Sequence, residues 1–146
     1  MPTERDCPFC KFEHPERIVA SNQRATAFLT NIPILPGHVL ISPVRHVETI
    51  GEMSPDETTS IFALLGSVKI ALEKSFGAQG FNFAWNEGKV AGQNVDHFHL
   101  HVVPRKSGDV GITEYEPRKF LYRPGSREES PDEELLAVAN LIKSAI

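Results

Sequence analysis

Residues 97–102 of the run HFHLHVV alternate imidazole and apolar side chains over six positions. Strict alternation fits a half-buried β-strand and no helix, because a strand sends successive side chains to opposite faces. His97, His99 and His101 then share one face, and Phe98, Leu100 and Val102 share the other. The apolar face predicts a sheet packed on a core. The imidazole face predicts chemistry, since three of the six histidines in the chain stand within five residues, and imidazole is the side chain that ordinarily titrates near neutral pH.

The rest of the chain supplies a frame for that strand. The runs RIVAS, ATAFLT, HVLISP and FNFAWN have β-strand composition, and turn signals such as SNQR, PILPG and NEGKVAGQN separate them. The first three follow one another with no helix between, which predicts antiparallel pairing and an α+β fold. Two helices are marked by similar openings, SPDET at 54 and SPDEE at 130. Each offers a capping serine, a proline at the first helical position and a glutamate three residues after the serine. Ile61, Leu64, Leu65, Val68 and Leu72 form one face of the first helix, which should end near Phe76 and Gly77; the second, ELLAVANLIKSAI, runs to the C-terminus. The expected organisation is one domain over 1–146, with a core of about 7–106 and a loop plus C-terminal helix over 107–146. Residues 104–130 read as a long loop, with one short strand at Phe120 to Tyr122.

Bulk properties narrow the partners. At 146 residues with a formal charge of −4, the chain carries no global positive field for a long nucleic acid. No run approaches the ~20 apolar residues of a membrane span, so a cytoplasmic location is expected. Cys7 and Cys10 are spaced Cys-x-x-Cys, which in that compartment reads as a metal knuckle, a pair of reduced thiols or a redox pair. A metal would need two more ligands, and His14 is near in sequence.

For the three histidines, two chemistries compete on residue type alone. One is a catalytic metal site with an open water position. The other is attack by an imidazole on an electrophile such as phosphorus, with the remaining histidines binding and protonating phosphate oxygens. Gly88 and Gly92 in NEGKVAGQN favour the second, because glycines let main-chain N–H groups approach a phosphate.

The stretch GQNVDHFHLHVVPR resembles the signature of the histidine-triad (HIT) family, His-φ-His-φ-His-φ-φ with φ apolar. LPGHVLISPVRH at 35–46, and the helix followed by FNFAWNEG, resemble the order of elements in the same family, so the likeness covers roughly residues 7–106. It implies an antiparallel five-stranded sheet with one long helix and a C-terminal helix, a homodimer, and a nucleotide hydrolase. Cleavage would occur at the α-phosphate through a covalent nucleotidyl-histidine. Carried over by position, His99 is the nucleophile and the main-chain carbonyl of His97 orients it. His101 and His38 contact phosphate oxygens and assist proton transfer. Asn86, Gly92, Gln93 and Asn94 line the phosphate and leaving-group side; at Asn94 many members carry Ser or Thr, a difference that bears on leaving-group preference. The ribose position falls on Thr30 by counting back from His38, with Asn31 adjacent. Asn31 is favoured, because an amide both donates to and accepts from ribose hydroxyls. Phe9, Phe12, Leu29 and Leu40 are candidates to hold the base.

The likeness also implies a structural zinc held by Cys7, Cys10, His46 and His97, in place of His14, and leaves room for a magnesium ion with a polyphosphate substrate. Dinucleoside polyphosphates, nucleoside phosphoramidates and adenylated conjugates all fit such a reaction. Nucleotidyl transfer to phosphate or a sugar phosphate, and nucleotide binding without catalysis, are the alternatives.

Overall fold

The structure is a computed structural model and describes residues 6–109 and 129–146. Five strands form one antiparallel sheet: β1 (Ile18–Ser21), β2 (Ala25–Leu29), β3 (Val39–Pro43), β4 (Gly80–Ala84) and β5 (Leu100–Arg105), in the order β1-β2-β3-β5-β4. Two helices complete it, α1 (Pro55–Phe76) and α2 (Asp132–Ala145). The α+β fold, the five strands and both helices agree with the sequence reading. The strand expected at Phe120 to Tyr122 lies outside the described residues.

Alternation divides the sheet into a packed face and an open one. Ala27, Ile41 and Leu100 lie in register across three strands, as do Leu29, Val39 and Val102 across β2, β3 and β5. All six belong to the buried core, together with Ile61, Leu64, Val68 and Leu72 of α1 and Leu135, Ala139 and Ile142 of α2. The next row, Phe28, Leu40 and His101, faces the opposite way and lines a cavity.

The strand bearing the histidines begins later than its sequence pattern predicts. β5 starts at Leu100, so His101 alone of the three is a strand residue, and His97 and His99 sit on the approach to it. The ladder to β3 ends at Ile41 opposite Leu100. Beyond it, the Pro43 carbonyl accepts from His97 Nε2 at 2.8 Å, and Phe98 N–H donates to Val47 O. Phe98, Leu100 and Val102 nevertheless all enter the core as the alternation requires.

The helix starts diverge as well. At α1 the capping box is complete: Ser54 accepts from Glu57 N–H, Glu57 accepts from Ser54 N–H, and Gly77 closes the far end at φ 66°. At α2 Ser130 makes no cap. The helix begins at Asp132 with Pro131 as its N-cap residue, and Ser130 N–H donates to Asn31 O at 2.8 Å. Tertiary bonding to the β2–β3 connection replaces the local cap. No helix among the described residues is long and apolar enough to cross a membrane.

Glu57 does more than cap α1. Its buried carboxylate takes two hydrogen bonds from Arg45, at 2.7 and 3.2 Å, and these first of all hold its pKa down to about 2 from 4.5, with help from Ser54 and against burial. A depressed carboxylate pKa adds stability above the unfolded value, and that stability is lost as pH falls from about 4.5 toward 2. Arg45 is more than half exposed, which screens the pair. Glu57→Gln should therefore cost about 1 to 2 kcal/mol at pH 7. In thermal melts the gap from wild type should narrow below pH 4.5; a gap independent of pH would show that the cap, and not the charge, carries the effect.

Candidate functional site

The open face of the sheet floors a cavity of about 600 Å³, walled by the N-terminal segment 6–14, the start of the β2–β3 connection and the loop 86–95. His99 is 5% exposed and lines it. Its Nδ1–H donates to the His97 carbonyl at 2.8 Å, which fixes the tautomer and leaves the Nε2 lone pair as the reactive site. Burial pushes the His99 pKa below the ordinary imidazole value, with the bond to His97 O opposing, so the ring is held neutral.

His101 and His38 form a directed chain. Ile34 N–H donates to His38 Nδ1 at 3.1 Å, so the neutral His38 ring carries its proton on Nε2. That Nε2 stands 2.9 Å from His101 Nδ1; with His38 donating, His101 carries its own proton on Nε2. His101 lines the cavity. His38 does not: it is 1% exposed, behind His101. β3 begins immediately after His38, and the His101 ring stands between it and the cavity.

The other expected contacts divide. Asn31, Asn86, Gly92 and Asn94 line the cavity, as do Phe9, Phe12, Leu29 and Leu40. Gly92 adopts φ 96° and Gly88 φ 85°, values that only glycine tolerates easily. Gln93 is buried and outside the lining; its amide accepts from Gly88 N–H at 2.8 Å and donates to Glu48 O at 3.0 Å, bracing the loop. Thr30 also lines the cavity, but its hydroxyl accepts from Ile32 N–H at 3.2 Å. The sequence reading missed Phe28 and Arg17. Phe28 was legible, since two-residue periodicity puts it on the face opposite Ala27. Arg17 was not: its guanidinium is nearly buried beside Asp132 Oδ1 at 3.2 Å, a contact across 115 residues of sequence.

Beside this cavity the Cys-x-x-Cys knuckle meets two histidines. One ligand atom each from Cys7, Cys10, His46 and His97 lies within 4.8 Å of the others. Cys7 Sγ and His97 Nδ1 are 3.4 Å apart, Cys10 Sγ and His46 Nδ1 3.2 Å, and Cys10 Sγ and His97 Nδ1 3.5 Å. Around a zinc ion with bonds of ~2.0 to 2.3 Å, tetrahedral ligands stand about 3.3 to 3.8 Å from one another, so these donors fit one metal ion. The outer groups fit too. His97 Nε2–H donates to Pro43 O, turning the Nδ1 lone pair inward. Cys10 N–H donates to Cys7 Sγ at 3.4 Å, as thiolate ligands favour. His14 is outside the cluster and pairs with Glu16.

Comparison with known proteins agrees with this geometry. The family model for the HIT domain matches residues 11–108, and the chain belongs to the HIT family. It is 38% identical over 101 residues to the asymmetrical bis(5'-nucleosyl)-tetraphosphatase of Schizosaccharomyces pombe, an overlap of 69% of this chain and 56% of that protein. It is 34% identical over 99 residues to the bis(5'-adenosyl)-triphosphatase of Dictyostelium discoideum, 68% of this chain and 63% of that one. The chain thus spans less than two thirds of either relative. A zinc-bound histidine-triad family protein from Mycobacterium smegmatis superposes with a TM-score of 0.76 and 27% identity, covering 98% of this chain and 94% of that one.

Proposed function

We propose that this chain is a nucleotide hydrolase acting at the α-phosphate of a nucleoside polyphosphate or phosphoramidate. The observation that carries this reading is the buried, neutral His99, tied through Nδ1 to the His97 carbonyl and lining a cavity beside His101. His99 Nε2 attacks the α-phosphorus and forms a P–N bond as the bond to the leaving group breaks. The His101 Nε2–H donates a hydrogen bond to the leaving atom, held in that tautomer by His38, and the leaving atom takes its proton from solvent, so both rings stay neutral. Water then attacks the phosphorus, the P–N bond breaks, His99 departs as the neutral imidazole, and the proton of the attacking water passes to solvent. Asn31 is the ribose group, since its main chain is anchored to Ser130 and the Thr30 hydroxyl is already engaged. Asn86, Gly92 and Asn94, which line the cavity, serve the phosphate and leaving-group side. The names of the two hydrolase relatives support the substrate class.

Cys7, Cys10, His46 and His97 would hold a zinc ion, which when bound supplies a crosslink between the knuckle and the approach to β5. Two thiolate ligands point to a reducing compartment, in keeping with the cytoplasm. Any magnesium would arrive with a polyphosphate. Trapping tests the central step: acid-free quenching during turnover, followed by mass spectrometry, should find one nucleotidyl group on His99, and a label on another residue would overturn the assignment.

The chain is further read as a homodimer joined at β4. Among the described residues that strand pairs with β5 and stands at the sheet edge, exposing Phe83 at 46%, next to Trp85 at 41%. An apolar sheet edge of this kind invites a second copy. Sedimentation should give twice the chain mass for the wild type and a shift to monomer for Phe83→Asp; a wild-type monomer would dismiss the assembly.

A further inference from the structure

We propose that Phe9, the residue inside the Cys7–Cys10 knuckle, is a positioning residue for the His99 imidazole, and that the knuckle ligands govern it. The hydrogen bond from Nδ1 to the His97 carbonyl holds the His99 ring at one atom only. A ring held at one atom can still swing about that bond, so its Nε2 needs side walls to stay aimed.

Two walls are present. The Phe9 ring meets His99 edge-on, with centroids 5.1 Å apart and planes at 84°. The His101 ring stands at 5.1 Å and 64°. These walls differ in what holds them. His101 belongs to β5 and is tied to the buried His38. Phe9 has no strand behind it. Within the segment, Lys11 N–H donates to Cys7 O at 3.1 Å and Cys10 N–H to Cys7 Sγ. The sulfur contacts with His46 and His97 fasten it to the body, together with the packing of Phe9 and Phe12 on Phe28 and of Phe9 on His97. The ligands on either side of Phe9 therefore fix where its ring stands. His97 serves both arrangements, giving its ring to the cluster and its carbonyl to His99, so a filled knuckle sets two of the three restraints on the nucleophile.

The test uses the metal-loaded full chain with ¹⁵N-labelled histidine, comparing wild type, Phe9→Ala and Phe9→Leu at equal metal content. The wild type should show one His99 imidazole state, protonated at Nδ1. Phe9→Ala should show exchange-broadened or mixed signals, and Phe9→Leu, which keeps the bulk, should recover most of the wild-type spectrum. Removing metal should broaden His99 in the wild type and add little in Phe9→Ala. A kinetic arm, which rests on the hydrolase reading, uses diadenosine tetraphosphate or adenosine phosphoramidate. There kcat should fall about tenfold in Phe9→Ala, as misaim of a nucleophile predicts, beyond whatever AMP affinity is lost with one cavity wall, because kcat is read at saturation. An unchanged His99 spectrum in Phe9→Ala would overturn the proposal, and so would weakened AMP binding at wild-type kcat, which marks a simple base wall. A wild type that cleaves neither probe would count against the hydrolase reading, and the imidazole spectra would still decide the role of Phe9.

Discussion

Replacing His99 with alanine should lower turnover by about 10⁴-fold or more, a loss on the scale seen when a covalent nucleophile is removed, while a nucleotide still binds. The separation follows from where the residue sits. Phe9, Phe12, Phe28, Leu29, Leu40 and Asn31 wall the cavity independently of His99, so removing one imidazole leaves most of the binding surface. Among the described residues, however, no second imidazole is poised as His99 is. His101 is the nearest imidazole, but its Nδ1 faces His38 at 2.9 Å, and the tautomer that this bond favours presents a proton and not a lone pair. His101→Ala should therefore be less severe for substrates whose leaving group departs easily as an anion, and most severe where the departing atom must be protonated. The pH dependence has a definite sign. His99 attacks only when neutral, and burial lowers its pKa, so the acid limb of kcat/KM should lie below the ordinary imidazole value of about 6.5. Single-turnover rates and equilibrium dialysis with a nucleoside monophosphate check both halves. His99→Ala turning over near the wild-type rate would remove the mechanism.

The sequence made the chemistry legible further than it made the backbone. Alternation in HFHLHVV correctly separated the core residues Phe98, Leu100 and Val102 from the three histidines, because successive side chains of an extended chain point to opposite faces. It could not say where hydrogen-bonded pairing stops, which depends on a partner strand: the ladder ends opposite Ile41, and Pro43 gives its carbonyl to His97. SPDET and SPDEE look alike, yet only the first forms its capping box, since Ser130 is drawn to Asn31 O by a contact across the fold. The same limit hid the place of His38 behind His101 and the pairing of Arg17 with Asp132. Residue type suggested the Cys-x-x-Cys metal site, but His14 and His46 were equal claimants by chemistry. Resemblance to the HIT family chose His46, and the geometry agrees.

Cys7→Ser should abolish stoichiometric zinc and lower stability by about 3 kcal/mol or more, as losing a structural metal does. Purified wild type should carry about one equivalent per chain, as expected of a closed four-ligand site. Cys7 is 4% exposed and His97 fully buried, so the donors cannot relax into water when the ion is lost. Two sulfurs and two imidazoles would remain crowded within 4.8 Å, and the segment 6–13 would lose its main attachment. The informative comparison is a cycle. A chelator should lower the wild-type melting temperature to nearly that of Cys7→Ser and leave the variant unmoved, because both routes reach the same metal-free protein. Turnover separates this structural site from a catalytic metal. Chelation should reduce the rate only as far as the knuckle and Phe9 loosen, leaving about a tenth of it on the alignment reasoning above, whereas a metal that activated water would take the whole rate with it. A wild-type melt indifferent to both chelator and Cys7→Ser would mean that the four donors meet without a metal, and that the N-terminal segment is held by other contacts, such as Phe9 and Phe12 packing on Phe28.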